Sequence, residues 1–233
     1  LNNDTEVLPN AIESLVEVFE SNHAVGAVGS KLVYPTGALQ EAGGIIWQDS
    51  SGWNYGRNEN PYDPKYNFMR AVDYCSGASL LVRRESFEAL NGFEKDFAPA
   101  YYEDTDLCFA LRHQLGLEVI YQPKSVIIHY EGVSSGTSTA SGIKRYQVVN
   151  AKKFQAKWEQ ALTRHPVNEK GYEDAHRAAR RFQGDKTVLV IDIFLPLYDK
   201  ESGSRRLFQI LKIFKDLNYH VIFLPDDMQA LEP

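Results

Sequence analysis

Cysteine is scarce in this sequence: Cys75 and Cys108 are the two among 233 residues. They form neither a CxxC pair nor a disulfide framework, which favours a reducing compartment, the cytosol. Long apolar runs are missing as well. No stretch approaches the roughly eighteen residues of a membrane span, and no signal peptide is visible. Peripheral membrane contact through other segments stays open. Positive charge is in the minority, with 25 Lys and Arg against 31 Asp and Glu and a net charge of −6. That balance argues against a broad nucleic-acid surface. The local cluster Arg177, Arg180 and Arg181 reads as a solvated helix face. There is no internal repeat and no long low-complexity tract. An initiator Met is also missing: the chain opens on "LNNDT" and closes on "DDMQALEP", and both ends read as cuts through a longer polypeptide.

What is present is the composition of a folded protein, with 43% hydrophobic and 24% charged residues. The length allows one large domain or one and a half smaller ones. "EVLPNAIESLVEVF" places Ile12, Leu15, Val16 and Phe19 on one helical face, with Pro9 in an early helical position. A strand running to Tyr34 and a turn at Pro35 to Gly37 follow. Residues 45 to 68 mix Trp47, Trp53, Tyr55, Tyr62, Tyr66 and Phe68 with Asn, Asp, Gly and Pro, the composition of a long loop. Its aromatic faces suit sugar rings, or else they pin the loop to the core.

"VDYCSGASLLVRRESFEALNGF" reads as strand, bend at Ser76 to Ala78, strand, and a short helix ended by Gly92. Gly77 is either a point of close approach for a ligand or backbone, or a simple bend. A helix with Leu107, Leu111 and Leu115 on one face stops at Gly116. Two strands separated by a turn at Pro123 lead to His129, and "EGVSSGTSTASG" is a flexible loop. Residues 143 to 182 are mostly helical in pattern, with a break near His165-Pro166. From Thr187 the pattern changes: an apolar run of the kind buried in a parallel sheet, a polar glycine loop, an amphipathic helix and a second strand make one β-α-β unit.

Three clusters carry potential chemistry. Asn2, Asn3 and Asp4 supply oxygen ligands or a turn. Glu103, Asp104 and Asp106 open a helix, where Asp104 serves as N-cap or as a general base. His129 stands at a strand end, as a ligand or as a hydrogen-bonded structural histidine. If the clusters meet at one rim of an α/β sheet, oxygen donors and an imidazole suit Mn²⁺ or Mg²⁺, with phosphate oxygens completing the shell.

The ordered set "LNND", "CSGASLLVRRESFEALNGFEKDF", "YYEDTDLCFALR", "VIIHYEGVSSG" and "NAKKFQAKW" resembles the carboxyl-terminal half of family-two inverting glycosyltransferases of the GT-A fold, over roughly residues 1 to 158. The resemblance implies an α/β chain made of an incomplete GT-A domain with a mixed sheet over 1–142. A helical tail or linker over 143–185 and the truncated start of a second, Rossmann-like and GT-B-like domain over 186–233 would follow. It also implies transfer of a sugar from a nucleotide-diphospho-sugar donor to a saccharide or lipid-linked saccharide acceptor. "NND" then stands at the family's Asp-x-Asp motif, so Asn2, Asn3 and Asp4 meet the donor diphosphate. Asp4 and His129 hold the metal, Asp104 is the catalytic base, and Glu103, Asp106 and Gly77 support it or touch the acceptor. The loop after His129 resembles the segment that closes over the donor. Two rivals remain: a sugar-nucleotide pyrophosphorylase, and a carbohydrate-binding or scaffold domain without turnover.

Overall fold

The computed structural model describes residues 1–130, 145–169, 172–180 and 186–227. The chain divides into two compact units, Leu1–Arg181 and Phe182–Pro233.

In the first unit β1 (Thr5–Val7), α1 (Ala11–Ser21), β2 (Val25–Val33) and β3 (Leu39–Glu41) come first. A hairpin of β4 (Gly44–Ile46) and β5 (Gly52–Asn54) follows, then β6 (Arg70–Ala71), β7 (Leu80–Val82), α2 (Arg84–Ala89), α3 (Glu103–His113) and β8 (Glu118–His129). Helices α4 (Arg145–Lys157), α5 (Glu159–Leu162) and α6 (Tyr172–Ala179) complete it. The main sheet is mixed: β2 and β8 run parallel at its centre, while β1 and β6 pair antiparallel with β8 and β3 and β7 pair antiparallel with β2. All nine residues of β2 are buried, as a central strand covered on both faces requires.

Several elements depart from the sequence pattern. The first helix begins at Ala11 rather than Glu6, because Thr5 to Val7 pair with Ile127 to His129 as a strand. Asn10, not Pro9, sets the start, in the left-handed region at φ 63°. The buried face is Ala11, Ser14, Leu15 and Val18, while Ile12 and Val16 are exposed. Pro123 makes no turn; β8 runs through it, and its register against β2 shifts between Ser30 and Lys31. A bulge absorbs the missing proline donor. Leu115 lies beyond the helix and is exposed, whereas Leu107 and Leu111 are buried.

The aromatic stretch 45–68 is not one long loop, since it holds the β4–β5 hairpin and a short 3₁₀ turn at Pro64–Tyr66. Trp47, Tyr55 and Tyr66 are core residues, with Trp53 edge-on against Trp47. Tyr62 and Phe68 remain exposed. The helical segment after residue 145 packs on this unit: Phe154, Trp158, Leu162, Ala175, Ala178 and Ala179 belong to the main core cluster. The expected break near Pro166 falls between α5 and α6. Arg177 and Arg180 are exposed, and Arg181 lies outside the described residues.

The second unit contains β9 (Lys186–Asp192), α7 (Ser202–Asp216) and β10 (Tyr219–Pro225). β9 and β10 pair in parallel from Lys186↔Tyr219 to Asp192↔Pro225, the β-α-β unit expected. The apolar run read as buried is instead partly open, with Leu189, Ile191 and Ile193 exposed. Two strands and one helix cannot cover both faces of a sheet.

Candidate active site

Antiparallel pairing of Thr5 with His129 places Asp4, one residue before β1, beside the end of β8. Asp4 Oδ1 lies 3.4 Å from His129 Nε2, and both side chains are largely buried, at 13% and 12% exposure. The backbone locks the pair, since the Tyr130 N–H donates to the Asp4 carbonyl at 2.9 Å. On its other side the His129 ring meets β3, with Nδ1 3.1 Å from Gln40 Oε1.

The second arm is the turn between Tyr74 and β7. The Ser76 hydroxyl accepts from the Ala78 N–H and opens a 3₁₀ turn at Gly77–Ser79. Buried hydroxyls hold this turn to the sheet centre: Ser30 Oγ is 2.6 Å from Ser79 Oγ and 2.8 Å from Ser125 Oγ. The Ser76 N–H donates to Glu41 Oε1 at 2.9 Å, and the Gly77 N–H donates to Asp104 Oδ2 at 2.7 Å. A Cβ on Gly77 would sit 3.4 Å from Asp104. That is ordinary contact, so glycine here relieves no clash.

The third arm is the start of α3. Asp104 is not its N-cap; Tyr102 holds that position in the left-handed region, and Asp104 is the second helical residue. Its Oδ1 accepts the Thr105 N–H at 2.7 Å and the Thr105 hydroxyl at 3.2 Å. Three donors, two of them backbone amides, therefore fix this carboxylate near a helix N-terminus, where negative charge is favoured. Glu103 is in a different environment: Oε2 is buried with no hydrogen-bond partner among the described residues. Burial first, and the charge of Asp104 second, push its carboxyl up to about 7.

Asp106 faces away from these groups. It accepts from Lys157 Nζ at 2.9 Å and from Trp158 Nε1 at 2.7 Å. Burial raises its pKa, and the bonds to Lys157 and Trp158 pull it back. Its place is at the docking surface between α3 and α4. The approach to α3 is strained, with Tyr101 at φ 73° and Tyr102 at φ 72°. Bulky residues seldom adopt that region, at roughly 1–3 kcal/mol each. Buried Asn150 on α4 holds this approach by donating Nδ2 to the carbonyls of Phe97, Ala100 and Tyr101 at 2.7, 2.9 and 3.0 Å. The Tyr102 hydroxyl donates to Ser50 O at 2.9 Å.

The sequence-predicted residues thus join through a chain of contacts. Asp4 meets His129, Asp104 meets Gly77, and the Asn2 N–H donates to Ala78 O at 3.0 Å, tying the first cluster to the second. Asn2 and Asn3 are themselves exposed. The glycine- and serine-rich loop 131–142 lies outside the described residues. Sequence reasoning missed Gln40, Glu41 and Asn150. The signal for the first two was present, as two adjacent polar residues in "GALQEAGGII", an otherwise apolar and small stretch.

No known protein-family profile matches the chain. It is 34% identical over 140 residues to the O-antigen biosynthesis protein RfbC of Myxococcus xanthus, covering 58% of this chain and 11% of that protein. It is 27% identical over 155 residues to the N-acetylglucosaminyl-diphospho-decaprenol L-rhamnosyltransferase of Mycobacterium tuberculosis, covering 60% of this chain and 48% of that one. Among solved structures, GalNAc-T7 with UDP, GalNAc and Mn²⁺ aligns at TM-score 0.45 and 14% identity, over 77% of this chain and 38% of its own. The chain spans less than half the length of both curated relatives. The similarity covers about three fifths of this chain in both cases.

Proposed function

We propose that residues 1–142 are the carboxyl-terminal half of a GT-A domain that transfers a sugar, with inversion, from a nucleotide-diphospho-sugar donor. The acceptor is a hydroxyl of a saccharide or lipid-linked saccharide. The observation that carries this reading is Asp104: a carboxylate held by three donors at a helix start and linked by backbone contacts to the Asp4–His129 pair. A sugar hydroxyl is a weak nucleophile, so Asp104 takes its proton as the oxygen bonds to the anomeric carbon and the bond to the diphosphate breaks. General-base help of this kind is worth about 10²- to 10⁴-fold.

Asp4 and His129 fit a divalent cation, because they offer an oxygen and an imidazole nitrogen 3.4 Å apart. Among the described residues no third His, Cys, Asp or Glu joins them, and phosphate oxygens of the donor suit further positions of such a shell. Mn²⁺ or Mg²⁺ held there would offset the charge of the departing diphosphate. Residues 186–233, in this reading, open a second α/β domain.

Transfer and donor hydrolysis across a panel of nucleotide sugars, in the longest natural polypeptide containing this chain, with and without Mn²⁺, test the reading. Asp104→Asn is expected to bind donor nearly as wild type does while transfer falls at least 100-fold. A loss confined to donor binding would remove Asp104 from the base role. Metal and nucleotide binding without turnover of any donor would favour a carbohydrate-binding or scaffold domain.

A further inference from the structure

Strand β3 carries an irregularity beside the site. Leu32 of β2 faces Glu41 and the next residue, Val33, faces Leu39, so Gln40 is the extra residue of a bulge. In a regular strand neighbouring side chains leave on opposite faces. A bulge breaks that alternation and re-aims side chains, which is why bulges recur next to active sites. Here both neighbours are buried, Gln40 at 2% and Glu41 at 1% exposure, and each reaches one arm of the site. Gln40 Oε1 meets His129 Nδ1, and Glu41 Oε1 accepts the Ser76 N–H next to the turn that faces Asp104.

The chemistry of the first contact is directional. An amide carbonyl oxygen only accepts, so the ring nitrogen facing it carries the hydrogen. In the neutral ring that leaves Nε2 without a hydrogen, 3.4 Å from Asp4 Oδ1. An imidazole nitrogen and a carboxylate oxygen so placed can share a cation. Histidine ligands are commonly fixed this way, the second nitrogen donating to an oxygen that sets tautomer and ring orientation.

We propose that Gln40, aimed by the β3 bulge, is a positioning residue that holds His129 in the Nδ1–H tautomer and so prepares Nε2 for a divalent cation. The cation part rests on the transferase reading above; the tautomer part does not. The test uses the whole chain labelled with ¹⁵N-histidine, with His129 assigned by its loss in His129→Asn. Wild type, Gln40→Met and Gln40→Glu are compared without metal, and then titrated with Mn²⁺ in the presence of UDP by electron paramagnetic resonance. Wild type should show the Nδ1–H tautomer. Gln40→Met, which keeps the length and removes the acceptor, should shift His129 toward Nε2–H and weaken Mn²⁺ binding by roughly 10- to 100-fold. Gln40→Glu restores an acceptor and should recover the wild-type tautomer, a rescue that a purely space-filling role would not give. An unchanged tautomer in Gln40→Met overturns the proposal; if that variant fails to fold, an Nε2–H ring in wild type or Gln40→Glu overturns it equally. If wild type shows the Nδ1–H ring but binds no Mn²⁺ with UDP, the cation reading fails, while the tautomer data still decide what Gln40 does.

Discussion

Glu103 and Asp104 are neighbours in the first turn of one helix, yet their surroundings differ. Asp104 has three donors, whereas Glu103 Oε2 is buried without one among the described residues and its carboxyl is raised to about 7 from an ordinary value of 4.5. The native state therefore holds a proton on Glu103 that the unfolded chain has already released between pH 4.5 and 7. Unfolding stability is present below the lower value and falls as pH rises through the upper one. Allowing for partial solvent screening, the loss by pH 8 is roughly 1–3 kcal/mol. Glu103→Gln, which stays neutral, should flatten urea-unfolding stability across that window; an unchanged slope would show that another group titrates there. None of this was legible in "YYEDTD". The sequence shows that acids open a helix, but which one is gripped depends on the Gly77 turn, 27 residues from Asp104 in the chain. The Asp4–His129 contact was legible only as an ordered pair of motifs, because β1 is three residues long and its pairing with β8 is what brings them together.

At the scale of elements, α3 is held on both of its sides. Its start receives the Gly77 amide, and two residues later Asp106 receives Lys157 at the end of α4 and Trp158 just after it. Nearly the whole helix from Thr105 to Leu111 is buried. That explains why the leucine stripe alone gave an incomplete account of its packing: Cys108, Phe109 and Ala110 are buried too, in the main core cluster with Phe154 of α4. An amphipathic pattern identifies a helix with one wet face, and α3 has little wet face to show. The helical character of 145–162 was legible from its pattern, but the partner was not, since Asp106 reads equally well as a first-turn acid. Asp106→Ala should leave the Trp158 N–H and the Lys157 amine without their acceptor. We expect a stability loss of about 2–4 kcal/mol in urea unfolding. It should also loosen the Asn150 clamp on Phe97, Ala100 and Tyr101, so that amides along this approach exchange faster. A loss below about 0.5 kcal/mol would mean that α4 is anchored by its apolar contacts alone.

At the scale of the whole chain, the two units differ in how well their strands are shielded. In the first, β2 is buried along its full length between β8 on one side and β3 and β7 on the other. In the second, β9 and β10 form a two-stranded sheet whose strands expose Leu189, Ile191, Ile222 and Leu224. Their β-α-β order was legible because a parallel-sheet strand, a glycine loop and an amphipathic helix each leave a local pattern. Their exposure was not, since an apolar run states what a strand can bury and says nothing about what covers it. Few buried contacts around a hydrogen-bonded ladder imply a low local free energy of opening. Amides of β9 and β10 should therefore exchange through an independent opening at least ten times faster than those of β2 and the centre of β8, which require unfolding of the first unit. Hydrogen exchange followed by peptide mass spectrometry on the intact chain reads both at once. Equal protection at 186–192 and 25–33 would show that the second unit unfolds only together with the first, and the division at Arg181 would then not be a thermodynamic one.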